Sequence, residues 1–522
     1  MLKRIIGTSI VIIVAGLILI NISYNSSVGI VERNNVLAAP LANQKTYIPV
    51  IINNYIEETI FGVEMYDMST KGGLDKMNEA GVTFLRHNDY SHTYPTDALI
   101  WTAVEPNKGT RNWSEMERLE DQLVNASSRG MNVILPVRST PTWARDPRWS
   151  SSPCGPIDKS HYGDFAKFMY DVVKRYSQPP YNVKYWEIYN EPDYPIVYGP
   201  NPYGEPHGCW GTWRIPEHDD GYGNGTAYGE MLKVVYTEIK KADPEAQVLT
   251  GGVLLECDPR KPSGSSITRC EMAGHTPDHI SYAKFLEGIL VAGAGDSFDG
   301  VSVHSYDFFT KKEMPNIKFG EYYNYDWDTA WNTTGPVTVA KVNYVKELLA
   351  QYGVKGKDIY NTESGLLNNL DEYLITGICK PFDNVYESTK ASYIVQQYVY
   401  TKVLGLRANS WLHPFGWRCT ALLEKDLSPI QPAYDTFEFA SKNIGPASFV
   451  REVTDQGSGV KIFEFQFQDS GSKFWVVWSL DGANHVITLP KKPLAVVDMT
   501  GNPVGLSGLS FTVTLTPHYI EY

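Results

Sequence analysis

Residues 185–194 read YWEIYNEPDY, and this stretch decides the fold that the rest of the sequence is expected to form. An aromatic, β-prone run is followed directly by Asn190, Glu191 and Pro192. Proline has no N–H for a sheet and pushes the residue before it to extended geometry, so the strand is expected to end here. Glu191 is therefore predicted to lie at the C-terminal tip of a strand, where parallel α/β barrels carry their catalytic residues.

A second stretch of this kind lies far downstream, at residues 358–367, which read DIYNTESGLL. Its strand-like run is expected to end at Glu363, with the polar residues Asn361 and Thr362 directly before it. A single glutamate near a strand end is more readily explained by a structural salt bridge than by catalysis. Two such glutamates on separate strands of one barrel instead predict a carboxylate pair that converges on one cleft.

Short β-like runs alternate with longer amphipathic runs from residue 60 onward, which predicts repeated βα units and a parallel sheet. The β-like runs are 61–66, 82–87, 132–137, 183–189, 247–251, 298–304, 358–362 and 408–413. The helix-like stretches include 114–129, 162–176, 227–242, 279–292, 337–352 and 388–404. The predicted fold class is α/β, a (β/α)8 TIM barrel, and a doubly wound open sheet is the alternative.

A different pattern follows the last helix-like stretch, at 433–443. Six short alternating runs, 449–453, 461–467, 474–479, 485–489, 495–498 and 511–519, are separated by Gly, Asp and Pro turns. They predict a small C-terminal antiparallel β-sandwich packed on the flank of the barrel. The expected domains are a catalytic barrel at 54–445 and an accessory sandwich at 446–522.

The N-terminus reads MLKR and continues into the apolar run IIGTSIVIIVAGLILI. A basic start followed by an apolar run is typical of a targeting segment. Residues 1–53 are therefore predicted to be a signal peptide or an uncleaved membrane anchor, followed by a tether. Either alternative predicts a secreted or extracytoplasmic protein, and the second adds attachment to a membrane through the apolar run.

The six cysteines of the chain permit three disulfide bonds in an exported protein. All of them lie on or beside the loops that are expected to follow the barrel strands. Proximity along the chain suggests the pairs Cys154–Cys209, Cys257–Cys270 and Cys379–Cys419. Such bonds would restrain long loops at the catalytic end.

The composition excludes several classes of function. A net charge of −13 argues against nucleic acid or an anionic membrane surface as the main partner. The sequence contains no P-loop and no dinucleotide-binding glycine motif. Aromatic residues make up 13% of the chain, and those on loops can form platforms on which sugar rings stack.

The predicted carboxylate pair fits the hydrolysis of a glycosidic bond. That reaction needs an acid to protonate the leaving oxygen and a second carboxylate that activates water or attacks the anomeric carbon. It needs no organic cofactor and no metal ion. His87, Asp89 and His92 are close in sequence, but their spacing matches no tetrahedral metal site, so no metal is predicted.

The motifs WEIYNEPD, VHSY and TESG, together with the small C-terminal β-domain, resemble clan A of the glycoside hydrolases. The chain is most similar to family 39, whose β-xylosidase-like members are retaining enzymes. The resemblance covers about residues 55–522. It implies that Glu191 is the acid/base and Glu363 the nucleophile. It also implies that Asn190 binds the 2-hydroxyl of the sugar and that Arg86 keeps Glu363 ionised.

The resemblance implies further substrate-binding residues. His304 and Tyr306 of the VHSY motif would line the cleft, with the Tyr306 hydroxyl near Glu363. Trp411 would form the floor under the reacting sugar, with Trp143 a further aromatic contact. Apart from the resemblance, His87, Asp89 and His92 are expected to contact sugar hydroxyls. The alternatives are a rim salt bridge for Arg86, a structural role for His304 and core packing for Trp411.

The function predicted from the sequence is a retaining glycoside hydrolase that cleaves β-linked glycans. A β-xylosidase-like activity is the first expectation and an endo-acting glycanase the second. The substrate is an oligo- or polysaccharide, and nucleic acid is not expected as a partner. The alternative function is a catalytically inactive carbohydrate-binding barrel at the cell surface.

Overall fold

The computed structural model describes residues 59–88, 98–152, 154–196, 208–212, 218–260, 270, 281–310, 321–368, 384–506 and 508–522. These residues belong to one compact unit, Lys45–Tyr522. The predicted targeting segment and tether at 1–53 lie outside the described residues, as do Asp89, His92 and Cys379.

Eight parallel strands form the first part of the fold. They are β1 (Phe61–Met65), β2 (Phe84–His87), β3 (Asn132–Arg138), β4 (Tyr185–Asn190), β5 (Gln247–Gly252), β6 (Gly300–Phe309), β7 (Asp358–Asn368) and β8 (Ala408–Trp411). Each strand pairs with the next in parallel, and β8 pairs with β1, so the sheet closes on itself. The prediction of a closed (β/α)8 barrel is therefore confirmed, and the open-sheet alternative is excluded.

One main helix follows each barrel strand. The helices are α1 (Leu74–Glu79), α2 (Glu117–Ser128), α3 (Tyr162–Tyr176), α4 (Gly225–Ala242), α5 (Phe285–Val291), α6 (Val337–Gln351), α7 (Asn384–Leu404) and α8 (Ala433–Asn443). The α3 helix illustrates why they form, since it buries Phe165, Phe168, Met169 and Val172, which recur at helical spacing. The opposite face of such a helix remains in contact with water.

The barrel interior is apolar at one level and charged at the next. Six inward-facing side chains form an apolar cluster, namely Phe84, Ile134, Tyr185, Leu249, Tyr360 and Ala408. Side chains repeat with a period of two along a strand, so Arg86 and Glu187 lie one level above Phe84 and Tyr185 on the same face. Glu64, which is in register with Arg86, joins that level from β1. The polar level therefore lies towards the C-terminal ends of the strands.

The strands β6 and β7 are longer than the sequence pattern predicted. Their predicted ends were residues 304 and 362, whereas they pair as far as Phe309 and Asn368. The register shifts between Asn361 and Glu363, which marks a β-bulge. Glu363 therefore lies at a bulge within β7 and does not end the strand, which corrects the prediction for this residue. Bulges re-aim side chains, and they are frequent beside active sites.

Seven strands follow the barrel and pair in antiparallel fashion. They are β9 (Ala447–Glu452), β10 (Val460–Phe467), β11 (Lys473–Ser479), β12 (His485–Thr488), β13 (Ala495–Asp498), β14 (Ser510–Val513) and β15 (His518–Glu521). The order β9-β10-β11-β15-β13 forms a five-stranded sheet, and β12 pairs with β14. The predicted last run, 511–519, is in fact divided between β14 and β15. The two sheets form the predicted additional β-structure, and the domain limits at 54, 445 and 446 stay predictions.

The larger C-terminal sheet packs directly on the barrel helices. Tyr400 of α7 meets Phe463 of β10 with ring centroids 5.4 Å apart, and Phe439 of α8 meets Tyr519 of β15 at 5.0 Å. These residues belong to the same hydrophobic cluster as the barrel core. The other face of the sheet has a separate core that includes Trp475, Phe511 and other apolar side chains.

Two predicted disulfide bonds are present, Cys154–Cys209 and Cys257–Cys270. Cys419 is also disulfide-bonded, and its predicted partner, Cys379, lies outside the described residues. None of the helices in the described ranges is both long enough and apolar enough to cross a membrane.

Candidate active site

The residues of the candidate active site come from separate strands that the closed barrel brings together. Glu191 follows β4 directly, and Glu363 lies in β7. His304 and Tyr306 lie on β6, which pairs with β7 so that His304 is in register with Glu363. Arg86 comes from β2. The end of β4 at Asn190 and the position of Glu191 agree with the strand end that Pro192 predicts.

The two glutamates face each other beside His304. The Nδ1 atom of His304 lies 2.9 Å from Oε1 of Glu191 and 3.4 Å from Oε2 of Glu363. One carboxylate oxygen of Glu191 and one of Glu363 lie within 4.8 Å of each other. The Glu191 side chain is 12% exposed and that of Glu363 is 6% exposed, so the pair lies in a narrow opening to solvent.

Arg86 is a fully buried guanidinium that holds the base of the site. It donates through Nη1 to Oε1 of Glu363 at 2.6 Å and through Nη2 to Oδ1 of Asn190 at 2.5 Å. It also donates through Nε to Glu187 at 2.7 Å and through Nη1 to Glu64. A guanidinium presents several N–H groups in a planar fork, which allows it to fix this many acceptors at once.

Two further donors reach Glu363. The Tyr306 hydroxyl donates to Oε2, and Nδ2 of Asn88 lies 3.5 Å from Oε1. Together with Arg86, these groups point positive or donating atoms at the carboxylate from both of its oxygens. Such an arrangement favours the ionised form of Glu363.

His304 is neutral at neutral pH, and its surroundings indicate which ring nitrogen carries the proton. Burial lowers the pKa of His304 to about 3, so the ring carries one proton at neutral pH. No described residue provides a hydrogen-bond partner for Nε2, whereas Nδ1 faces the two carboxylates. The proton is therefore assigned to Nδ1, which donates to Glu191. The ring packs so closely on Gly252 that a Cβ atom there would lie 2.0 Å from Nε2.

The environments of the two glutamates separate their proton affinities. Burial and the negative charge of Glu363 raise the pKa of Glu191 well above its ordinary value. Burial also acts to raise the pKa of Glu363, but the neighbouring His304, the positively charged Arg86 and the Tyr306 hydroxyl hold it below its ordinary value. The pair therefore favours a protonated Glu191 beside an ionised Glu363, a division of roles that acid–base chemistry requires.

The remaining predicted residues lie at different distances from this centre. His87 is buried, and its Nδ1 pairs with the carbonyl oxygen of Met65 at 2.9 Å. Trp143 donates to the carbonyl oxygen of Glu105 at 3.0 Å and packs edge-on against Trp101. These contacts are structural, and sugar contacts by His87 and Trp143 stay predictions.

Trp411 differs from its predicted role as a sugar platform. It has no exposed surface, and its Nε1 donates to the carbonyl oxygen of Thr420 at 2.8 Å. Its ring packs on Tyr393 of α7. The alternative of core packing describes these contacts, because a ring with both faces covered offers no surface on which a sugar can stack.

Three residues near the site were not assigned to it from the sequence. Glu64 and Asn88 contact the groups around Glu363, and no local motif marks them. Trp417 follows β8 by six residues, is 46% exposed, and lies 6.4 Å from the Tyr306 ring between centroids. Its place in the loop after a barrel strand is the signal that sequence reasoning could have used.

Glu191, His304 and Glu363 also form the one group in the described ranges whose ligand atoms are close enough to hold a metal ion. The guanidinium of Arg86, directly against Glu363, disfavours a second cation at this point.

A cavity of about 370 Å³ elsewhere is lined by Tyr322, Trp331, Gln396 and neighbouring residues. None of the residues predicted for catalysis or sugar binding lines that cavity.

Comparison with known proteins concerns the fold. No protein-family model and no curated protein matches the sequence. The structure of a family 39 glycoside hydrolase from Bacteroides cellulosilyticus WH2 is similar with a TM-score of 0.58 at 20% identity, over 90% of this chain and 82% of that chain. A conserved exported protein from Bacteroides fragilis gives a TM-score of 0.56 at 14% identity, over 88% of this chain and 97% of that chain.

A family 30 endoxylanase from Clostridium papyrosolvens C71 is also similar, with a TM-score of 0.52 at 12% identity, over 89% of this chain and 96% of that chain. The similar structures thus include glycoside hydrolases of more than one family. The resemblance that the sequence motifs indicated is confirmed at the level of the fold, since the chain shares the barrel fold of these glycoside hydrolases.

Proposed function

We propose that this protein is a retaining glycoside hydrolase that acts on β-linked glycans, with Glu191 as acid/base and Glu363 as nucleophile. The observation that carries the proposal is the pair of carboxylate oxygens within 4.8 Å of each other. Retaining enzymes place the two carboxyl groups about 5–5.5 Å apart, whereas inverting enzymes need about 6.5–9.5 Å to admit a water molecule. The shorter separation favours direct attack by Glu363.

In the first step, a carboxylate oxygen of Glu363 attacks the anomeric carbon while Glu191 gives its proton to the glycosidic oxygen. The bond to the leaving group breaks and an ester forms between the sugar and Glu363. In the second step, Glu191 takes a proton from a water molecule, whose oxygen attacks the same carbon. The ester bond then breaks, and Glu191 has regained the proton that it needs for the next cycle.

The residues around the pair have separate roles in this proposal. Arg86 and Tyr306 keep Glu363 ionised and oriented, and His304 orients Glu191 through Nδ1. Asn190, whose amide oxygen is fixed by Arg86, would bind the 2-hydroxyl of the reacting sugar. Hydrogen bonds to that hydroxyl strengthen in the transition state.

The exposed ring of Trp417 extends the site at its rim. A half-exposed tryptophan beside Tyr306 offers an apolar face to a sugar ring, whereas Trp411 is covered. We therefore assign to Trp417 the platform role that the sequence had suggested for Trp411. Within this substrate class, a β-xylosidase-like activity is the first candidate and an endo-acting glycanase the second.

Two disulfide bonds on the loops support an extracytoplasmic location, because such bonds persist in oxidising compartments. A secreted form and a form attached through the N-terminal apolar segment both fit this location.

The alternative function is a carbohydrate-binding barrel that has lost catalysis. The raised pKa of Glu191 and the lowered pKa of Glu363 argue against this alternative, because a protein that only binds sugar does not need two carboxyl groups with different pKa values.

The test is activity on a panel of aryl β-glycosides and β-linked polysaccharides, with NMR identification of the first-formed anomer. Glu363→Ala should abolish turnover on every substrate. Glu191→Ala should retain turnover of substrates with good leaving groups and be partly rescued by azide. Glu245→Ala, at an exposed position before β5 at the opposite end of the barrel, is the control and should behave as wild type. An inverted first product, or equal loss by Glu191→Ala on all substrates, would refute the double displacement.

A further inference from the structure

Glu64 is a buried carboxyl group that the proposed reaction does not use. It lies on β1 in register with Arg86 of β2, and it has no exposed surface. The groups that face it are Arg86, Glu363 of β7 and Tyr306 of β6. On its other side, β8 contributes Ser410 and Trp411, neither of which titrates.

The charges around Arg86 do not balance if every carboxyl group is ionised. Arg86 contacts the carboxyl groups of Glu64, Glu187 and Glu363, so one positive charge would face three negative charges in a buried site. His304 is neutral and does not compensate. Uncompensated buried charge is strongly unfavourable, and a group in that position takes up a proton instead.

The hydrogen bonds indicate which carboxyl group carries the proton. Glu363 accepts from Arg86 and Tyr306 and lies near the Asn88 amide, whereas Glu64 accepts from Arg86 at Oε2 alone. Within the described part of the chain, no N–H or hydroxyl donor reaches the buried Oε1 of Glu64. Oε2 of Glu64 and Oε1 of Glu363 accept from the same Nη1 atom of Arg86, so the two carboxyl groups are direct neighbours. A hydrogen bond between two neighbouring carboxyl groups forms only if one of them is protonated.

We propose that Glu64 is a protonated carboxylic acid that donates a hydrogen bond to Glu363 and thereby positions the nucleophile. This inference rests on the proposed function, because it assigns Glu64 a role through Glu363. Burial and the negative charge of Glu363 both raise the pKa of Glu64, which agrees with a proton held at neutral pH. Glu64 keeps its proton throughout the reaction and is a positioning residue.

The hydrogen bond from Glu64 would act on both steps. In the resting enzyme it favours the ionised form of Glu363 without adding a further charge. After the sugar ester has formed, the same donor stabilises the carboxylate that leaves in the second step. A glutamine at position 64 retains an N–H donor and no charge, whereas a leucine of similar size retains neither.

The first test is the pH profile of kcat/KM for Glu64→Gln and Glu64→Leu. Glu64→Gln should remain within about threefold of wild type with an unchanged acidic limb, because the amide replaces the O–H donor. Glu64→Leu should lose about 10- to 100-fold and move the acidic limb upward by about one pH unit, the effect of removing a donor from a charged acceptor. An equally large loss in Glu64→Gln would overturn the proposal, since it would mean that the negative charge of Glu64 is needed.

The second test does not depend on activity. The infrared difference spectrum of wild type minus Glu64→Gln at neutral pH should contain the C=O stretch of a protonated carboxylic acid. A Glu191→Gln difference spectrum serves as the reference for the other protonated glutamate. Absence of the band from the Glu64 difference would overturn the proposal. Its presence in an enzyme that hydrolyses no glycoside would refute the proposed function while it supports the protonation of Glu64.

Discussion

Two glutamates of the same chemical type acquire opposite properties from their surroundings. Glu191 has a raised pKa and Glu363 a lowered one, so the active form should be protonated at the first and ionised at the second. We expect kcat/KM to rise with pH as Glu363 ionises and to fall as Glu191 loses its proton. The pH profile on an activated aryl glycoside checks this, because in Glu191→Gln the alkaline limb should disappear. A profile in Glu191→Gln with the wild-type alkaline limb would contradict the assignment.

The same shifts predict opposite effects on stability. A raised pKa in the folded state means that Glu191 costs stability as pH rises above its unfolded pKa of about 4.3. A lowered pKa means that Glu363 adds stability above that pH, which is lost as pH falls through its folded pKa. At pH 7, Glu191→Gln should therefore raise the free energy of unfolding and Glu363→Gln should lower it, each by about 1 kcal/mol or more. Denaturant titrations at pH 7 and pH 4 measure both, and the difference between variants should shrink at pH 4.

At this scale, the sequence was sufficient for residues that a local motif marks. Glu191 could be located because Pro192 ends the strand before it. The hydrogen-bond network around Arg86 could not be predicted, because it joins Glu64, Glu187 and Glu363 from three different strands. No local sequence pattern specifies the register between those strands. The burial of Trp411 could not be predicted either, because the sequence around an aromatic residue at a strand end does not indicate whether the faces of its ring are covered.

At the scale of elements, close packing between β5 and β6 sets the position of His304. A methyl group at Gly252 would lie 2.0 Å from its Nε2 atom, so the ring would have to move away from the two glutamates. We expect Gly252→Ala to lower kcat at least tenfold and to destabilise the fold by about 1–3 kcal/mol through overpacking. Gly163→Ala is the matched control, because a Cβ atom there meets no other atom within 4 Å. Assays and thermal melts of both variants decide this, and a fully active Gly252→Ala would contradict the packing argument.

The loop after β8 offers a second prediction at this scale. Trp417 is exposed, and its backbone is held by Thr420, whose hydroxyl accepts from the Trp417 N–H at 3.1 Å. Trp417→Ala should raise KM about five- to tenfold with a smaller change in kcat, because stacking contributes to binding before and after the chemical step alike. Trp417→Phe should recover most of the affinity. Initial-rate kinetics on an oligosaccharide measure the two constants, and a loss confined to kcat would exclude the platform role.

The β7 bulge shows the limit of reasoning about single elements. The predicted end at Thr362 was reasonable, since polar residues interrupt the apolar run there. The strand continues because β6 continues beside it, and their pairing extends to Phe309 and Asn368. A partner strand supplies backbone hydrogen bonds that the sequence of one strand does not reveal. The alternation of strands and helices, in contrast, repeats along the chain and was predictable.

At the scale of the whole molecule, the barrel and the five-stranded sheet share a hydrophobic core. Removing residues 446–522 would expose Phe439 and Tyr400, which the sheet now covers. Aromatic side chains bury about 150–250 Å² each, so the loss amounts to several kcal/mol of stabilisation. We expect the truncated chain to be insoluble or to melt at a much lower temperature. Calorimetry of the full chain should show one transition, whereas two separate transitions would indicate independent domains.

The fold as a whole was predictable because eight repeated βα units fit a (β/α)8 barrel, and the two confirmed disulfide bonds followed from proximity along the chain. Closure itself, which excludes a doubly wound open sheet, is established by the pairing of β8 with β1. The division of the last predicted strand into β14 and β15 was not predictable from the sequence. The two strands belong to different sheets, and only the strands with which they pair show that they are separate.

The core beneath α7 and α8 also constrains how such a protein can evolve. The sheet and the barrel each complete the packing of the other. Recombination that replaced one of them with the equivalent part of another protein would therefore leave poorly packed contacts at Tyr400 and Phe439. Related chains should therefore retain the barrel and the sheet together, and substitutions at the aromatic residues of this interface should occur in matched pairs.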